Sequence, residues 1–249
     1  MAEIAYEVKA VRTEYAGTVF NSRLEAHWAA FFDVVGWPWL YQPFDLAGWS
    51  PDFMLQPVHI GRENSGGFRP GFEQSNPILV EVRPIDRFCA ETANQMSNAL
   101  FNSGNKLEPL LLGLSPQFNT PQEDQGETSV GWLGEFFEEH LTEHEAESLY
   151  PSDHPTGSYS FDNAILRQAR EIPGCTEIKA DFCHAIQSYR FRISGYYDGS
   201  HGGGLHREVC RRYWGIASSF VERGSWEGPA GVISGTPCRY PEERLDKIL

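Results

Sequence analysis

The sequence predicts an α/β fold: a core of helix, three strands, helix and strand on a mixed sheet, followed by a mainly helical C-terminal accessory region. Three observations predict it. Residues 20–35 carry apolar side chains at spacings of three and four, the signature of an amphipathic helix. Three short β-rich runs follow between residues 37 and 84. A second helical stretch then separates the last of these from another apolar run, the order of a parallel crossover.

In the first helix, Phe20, Leu24, Trp28, Phe31, Phe32 and Val35 share one face. Asn21 or Ser22 can cap its start, and Gly36 followed by Trp37-Pro38 stops it, because Gly suits the position after a helix and Pro cannot continue one. Residues 37–43 are aromatic and bounded by prolines, residues 51–57 alternate, and residues 77–84 (PILVEVRP) form the most β-rich run in the chain. The Gly-rich, polar residues 59–76 are expected as a long loop. Residues 86–103 predict a second helix closed by Gly104, and residues 108–116 a buried strand. These boundaries give a core over residues 1–116. A polar linker is expected over 117–130 and an accessory region over 131–249, for recognising substrate or partner. Within the latter, helices are expected at 131–149, near 161–171 and near 205–222, with strand-like residues 186–197 and a surface-wrapping tail after residue 224.

The composition supports a packed core, with 41% hydrophobic residues including 7 Trp, 10 Tyr and 16 Phe. No apolar run is long enough to span a bilayer, and residues 1–10 do not resemble a secretory leader. Five cysteines without a CxxC pair suit reduced thiols, so a cytoplasmic location is expected. The net charge of −14 argues against a simple nucleic-acid binder, but it is unevenly distributed. Residues 118–150 carry nine acids and no Lys or Arg, whereas residues 186–223 carry six Arg against three acids. The acidic 131–149 helix can therefore face a basic protein partner. Arg190, Arg192, Arg211 and Arg212, interleaved with aromatic residues, can track a nucleic-acid backbone, as can Arg12 and Arg23.

The strongest chemical signal lies on the second and third strands. Asp52 follows Pro51 at the start of one, and Glu81 and Arg83 lie two apart on the other, hence on one face. Charges within a buried strand need compensation, and a divalent cation supplies it for carboxylates. Such a cation bound by oxygen ligands is also what phosphodiester hydrolysis needs. Glu25 on the first helix can complete the metal shell.

The runs Phe20-Asn-Ser-Arg-Leu-Glu25-Ala-His-Trp-Ala, Pro51-Asp52-Phe53 and Val80-Glu81-Val82-Arg83-Pro84 resemble the PD-(D/E)XK nuclease superfamily. They look most like the compact bacterial and phage branch that shares its layout with transposon-end nicking endonucleases of the TnsA type. The resemblance covers about residues 12–116. It implies a restriction-endonuclease-like fold and Mg²⁺- or Mn²⁺-dependent cleavage of DNA in a mobile-element, DNA-processing or defence setting. Glu25 would be the helix acid, Asp52 the central metal ligand and Glu81 the second, with the Val82 carbonyl a further ligand. The motif lysine is Arg83 here; Arg stays protonated, so it can stabilise charge but cannot act as a base. Lys106, the nearest downstream lysine, falls at a turn and is a poor replacement. A catalytically weak or inactive module that binds nucleic acid or protein is the alternative.

Other motifs compete weakly. His140-x-x-Glu143-His144 matches an inverted zinc-protease motif, with Glu208 or Glu222 as a third ligand, but it sits in a Glu-rich segment where chance matches are easy. Cys175, Cys183, His184 and Cys210 lack paired-knuckle spacing and suit buried thiols better than zinc. The Gly-rich residues 198–206 have no Walker lysine and suit a flexible turn.

Overall fold

The computed structural model describes residues 10–35, 37–55, 77–104, 107–116, 129–136, 154–156, 159–168, 191–194, 207–228 and 231–234. They form a mixed α/β fold. A hairpin, β1 (Thr13–Tyr15) and β2 (Thr18–Phe20), leads into α1 (Arg23–Val35). Strands β3 (Trp39–Tyr41), β4 (Phe53–Leu55) and β5 (Ile78–Val82) follow, then α2 (Ala90–Ser103) and β6 (Glu108–Leu112). The chain continues through β7 (Ser129–Phe136), β8 (His154–Thr156), β9 (Tyr159–Gln168) and β10 (Phe191–Ser194). It reaches α3 (Arg207–Arg223) and a second hairpin, β11 (Ser225–Gly228) and β12 (Gly231–Ser234).

The main sheet has the order β10-β9-β7-β6-β5-β4-β3, with β8 paired to β9. Among the described residues only β5 and β6 run parallel, and α2 is their crossover. The expected order of helix, three strands, helix and strand is therefore present, and the sheet is mixed. The first hairpin had no counterpart in the expectations. It turns through Ala16 (φ 51°) and Gly17 (φ 78°), the two positive-φ positions of a tight hairpin turn.

Both faces of the sheet are buried at β5, which explains why that strand is apolar at nearly every position. Phe53, Val80, Val82, Leu110 and Leu112 face one core with α1 and α3, where Trp28, Phe31 and Phe32 of α1 meet Cys210, Ile216 and Phe220. Met54, Leu79, Leu111, Trp132 and Phe161 face the other core, against Ala93, Met96 and Leu100 of α2. Trp28 also donates its indole N–H to the Gly113 carbonyl (2.8 Å), fixing α1 over the end of β6. The Asp33 carboxylate, buried in α1, accepts from the Tyr15 hydroxyl (2.8 Å) and the Trp39 indole (2.9 Å). The helix closes with the Trp37 N–H donating to the Phe32 carbonyl at 2.8 Å, a bond spanning six residues that satisfies an end carbonyl.

The C-terminal half departs from expectation. Residues 131–136, expected in a helix, belong to β7, and residues 161–168, also expected in a helix, belong to β9. Among the described residues this half holds six strands and one helix, so it is not mainly helical. Ser129 and Val130, placed in the linker, open β7. The expected helix near 205–222 is α3, and β10 lies inside the expected strand-like stretch. Residues 137–149 and 117–128 lie outside the described residues. The sheet thus continues past residue 116 through antiparallel pairing of β6 with β7 and of β7 with β9.

The register of β7 shifts between Ser129 and Gly131, a bulge that turns Val130 onto the same face as Leu133. At Gly131 an added Cβ would collide with the Leu111 carbonyl and approach Leu112 Cδ2 to 2.9 Å. Gly131→Ala is expected to destabilise by about 1–3 kcal/mol, because the obstructing atom is backbone. Gly215, mid-way along α3, has nothing within 4 Å of the same position. Gly215→Ala is expected to stabilise by about 0.5–1 kcal/mol through helix propensity. Urea unfolding of the two variants, opposite in sign, checks both.

Candidate active site

The antiparallel register of β4 and β5 pairs Phe53 with Val80 and Met54 with Leu79. Continued by one residue, it sets Asp52 opposite Glu81, on the α2 face with Met54 and Leu79. Asp52 is locked there by its backbone. Its N–H donates to the Val80 carbonyl (2.9 Å), and its carbonyl accepts from the Gln42 N–H (2.8 Å). Its Oδ2 accepts from the Val82 N–H at 2.8 Å, while Oδ1 has no donor among the described residues.

Glu81 is buried with both oxygens engaged. Oε2 accepts from the Trp49 indole N–H at 2.6 Å, and Oε1 pairs with the Arg83 guanidinium at 2.6 Å. Exposure separates the ion pair: the Glu81 side chain is 4% exposed and that of Arg83 is 48% exposed. Arg83 therefore carries its charge from the buried carboxylate out towards solvent.

Glu25 sits in the first turn of α1 and closes a capping box with Ser22. The Glu25 N–H donates to Ser22 Oγ (3.1 Å), and the Ser22 hydroxyl donates back to Glu25 Oε1 (2.6 Å). Glu25 Oε2 accepts from the Tyr41 hydroxyl (2.6 Å) and the Asn21 N–H (3.2 Å). Both oxygens of the helix acid are thus held by its own helix start and by β3.

Three carboxylates close enough to feel one another make the site strongly acidic. Burial, then the charge of Glu81, push the Asp52 carboxyl up to about 7; Glu25 adds to the rise, while the Val82 N–H and Arg83 oppose it. Burial raises Glu81 as well, with the Trp49 bond and Arg83 opposing and Glu25 contributing. Burial and the bond to Glu25 raise Tyr41, keeping it a neutral donor.

Such a pair calls for a counter-charge. Mg²⁺ is typically held by one or two carboxylates and several waters, and Asp52 Oδ1 with Glu81 fits that donor set. Among the described residues no group of three or more His, Cys, Asp or Glu is arranged to hold a metal ion. Glu25 Oε1 accepts only from Ser22 among the described residues and so keeps a lone pair with which it could ligate.

The other expected residues scatter. Arg12, Arg23, Arg211 and Arg212 are exposed. Arg192 lies on β10, and Arg190 and Lys106 lie outside the described residues. So do His140, Glu143, His144, Cys175, Cys183, His184 and residues 198–206. Cys210, on α3, is buried in the core, and burial pushes its thiol up to about 12. That environment suits an inert thiol rather than a zinc ligand.

Sequence reasoning missed Tyr41 and Trp49, the donors to Glu25 and Glu81. The Ser22-x-x-Glu25 spacing could have revealed the capping box. Nothing local marks Trp49, which meets Glu81 only through the fold. No family model, curated protein or solved structure matches this chain.

Proposed function

We propose that the chain is a divalent-metal-dependent nuclease with a restriction-endonuclease-like core, acting on DNA through Asp52, Glu81 and Arg83. The observation that carries this reading is the placement of Asp52 opposite Glu81, each raised in pKa, on the two strands whose motifs resemble the PD-(D/E)XK pattern. The order of α1, β3, β4, β5, α2 and β6 supports it, as does the acid at the start of α1.

In this reading Asp52 and Glu81 would hold Mg²⁺ or Mn²⁺, and the Val82 carbonyl would be a third oxygen. When bound, the ion polarises a phosphoryl oxygen and makes a coordinated water more acidic. Arg83, half in solvent, neutralises Glu81 in the free protein and can turn to stabilise negative charge gathering on a phosphate. Being always protonated, it takes no proton. Glu25 would add charge and, through the lone pair that Oε1 keeps beside its Ser22 bond, a further ligand oxygen. Arg12, Arg23, Arg211 and Arg212 are exposed cations that can contact DNA phosphates.

One observation favours a second reading, a nuclease-fold module that binds nucleic acid or protein without cleaving. Arg83 already satisfies Glu81 at 2.6 Å, as a structural ion pair would.

The test is scission of supercoiled plasmid and of single-stranded DNA in Mg²⁺ or Mn²⁺ against EDTA. Divalent-dependent cleavage by the wild type is expected. No cleavage by the wild type, together with DNA binding that is indifferent to divalent ions, would move the assignment to the binding module.

A further inference from the structure

Trp49 stands outside every motif, yet it makes one of the shortest polar contacts in the site, 2.6 Å from its indole N–H to Glu81 Oε2. It is buried in the core beneath α2, with Met54, Leu79 and Met96. Its backbone is held twice. Leu46 and Trp49 exchange N–H···O bonds of 2.8 and 3.1 Å across a turn whose third residue, Gly48, has φ 92°. The Gln95 side-chain amide, from α2, donates to the Gly48 carbonyl at 2.6 Å. A chain of contacts therefore runs from α2 through a tight turn to one oxygen of one carboxylate.

A carboxylate on a three-bond stem can rotate, and a buried one with two different partners cannot do so without losing both. Trp49 takes Oε2 on the interior side, and Oε1 is left for the half-exposed Arg83. Such a support fixes the orientation in which the acid meets a cation or substrate, and hydrogen-bond partners of metal-binding carboxylates typically set affinity or activity by about 10–100-fold.

We propose that Trp49 is a positioning residue: clamped by the 46–49 turn and Gln95, its indole N–H sets the orientation of Glu81 in the divalent-ion site. This inference rests on the nuclease reading, because it assigns Trp49 to the site that reading places at Asp52 and Glu81.

The experiment measures direct Mn²⁺ binding by electron paramagnetic resonance and the Mn²⁺ dependence of plasmid cleavage in wild type, Trp49→Phe and Gln95→Ala. Thermal stability is measured alongside. Phe keeps an aromatic ring in the core and removes the donor together with the volume of the second ring, which is why thermal stability is followed in parallel. The expected result for Trp49→Phe is a Mn²⁺ midpoint raised by about tenfold in both assays, with the KM for DNA unchanged. Gln95 is exposed, so its variant tests the clamp without disturbing the core; a rise of about two- to threefold in the same midpoint is expected. If Trp49→Phe does not fold, the Gln95→Ala midpoint decides. Wild-type Mn²⁺ midpoints in the variants, with only the melting temperature lowered, overturn the positioning role and leave the nuclease reading standing. A wild type that neither binds Mn²⁺ nor cleaves overturns both.

Discussion

Asp52→Ala is expected to reduce divalent-dependent DNA scission by roughly 10³-fold, the equivalent of about 4 kcal/mol of lost transition-state stabilisation. The fold should survive, because the backbone bonds to Val80 and Gln42 do not involve the side chain, and its one bond from the described residues is to the Val82 N–H. What disappears is the carboxylate oxygen with no other donor among the described residues, the one best placed to take a cation. Plasmid cleavage at saturating Mn²⁺, with circular dichroism to show an intact fold, makes the comparison. Residual activity within a factor of five of wild type would place the chemistry elsewhere. Arg83 gives the complementary result. Arg83→Lys is expected to stay within about tenfold of wild type and Arg83→Ala to fall by about 10²-fold, if the position needs a fixed cation and no base. Cleavage that appears only in Arg83→Lys would identify a degenerate wild-type site, and binding would then be the leading function.

The sequence made the N-terminal core legible because its elements follow local rules. α1 shows helical spacing, a capping residue and a terminator, and β5 is a short apolar run between prolines. Those signals suffice to put Asp52 and Glu81 on neighbouring strands. Beyond residue 116 the same rule misled. In the expected 131–149 helix Leu133 and Phe136 are three apart, a helical spacing, but both lie on β7. In β9 Phe161 and Ala164 are also three apart, but each lies in a different core, on opposite faces of the sheet as a strand requires. Apolar spacing alone could not distinguish these cases. The network around the acids was hidden for a different reason. Tyr41 and Trp49 lie 16 and 32 residues from the carboxylates they hold, and only strand register brings them together. Glu25 illustrates a signal with two meanings: the same acid that fits a nuclease helix also hydrogen-bonds Ser22 at the start of its own helix.

Asp52→Asn is expected to stabilise the metal-free protein, and increasingly so as pH rises. Folded Asp52 keeps its proton up to about pH 7, whereas the free side chain releases it near 3.8. Between those values the folded state holds the extra proton, so stability falls as pH increases. The contribution is intact below about pH 3.8 and is lost as pH climbs through about 7. Asn cannot ionise and escapes the loss. A shift from 3.8 to about 7 corresponds to an upper bound of roughly 4 kcal/mol. Because part of the loss has already occurred by pH 5, the advantage of Asn over Asp in EDTA should be larger at pH 8 than at pH 5 by roughly 2–3 kcal/mol. Denaturant unfolding at both pH values reads this directly, and an equal advantage at both would mean that Asp52 ionises as freely as it does in water. Divalent ion should narrow or reverse the comparison. Wild type at pH 8 with Mn²⁺ at 100 times its Kd should gain about 2.7 kcal/mol, while the Asn variant, lacking the charge that binds the ion, gains little. A carboxylate that destabilises the empty protein and stabilises the loaded one is the behaviour expected of a ligand, and a purely structural Asp52 would show neither half of it.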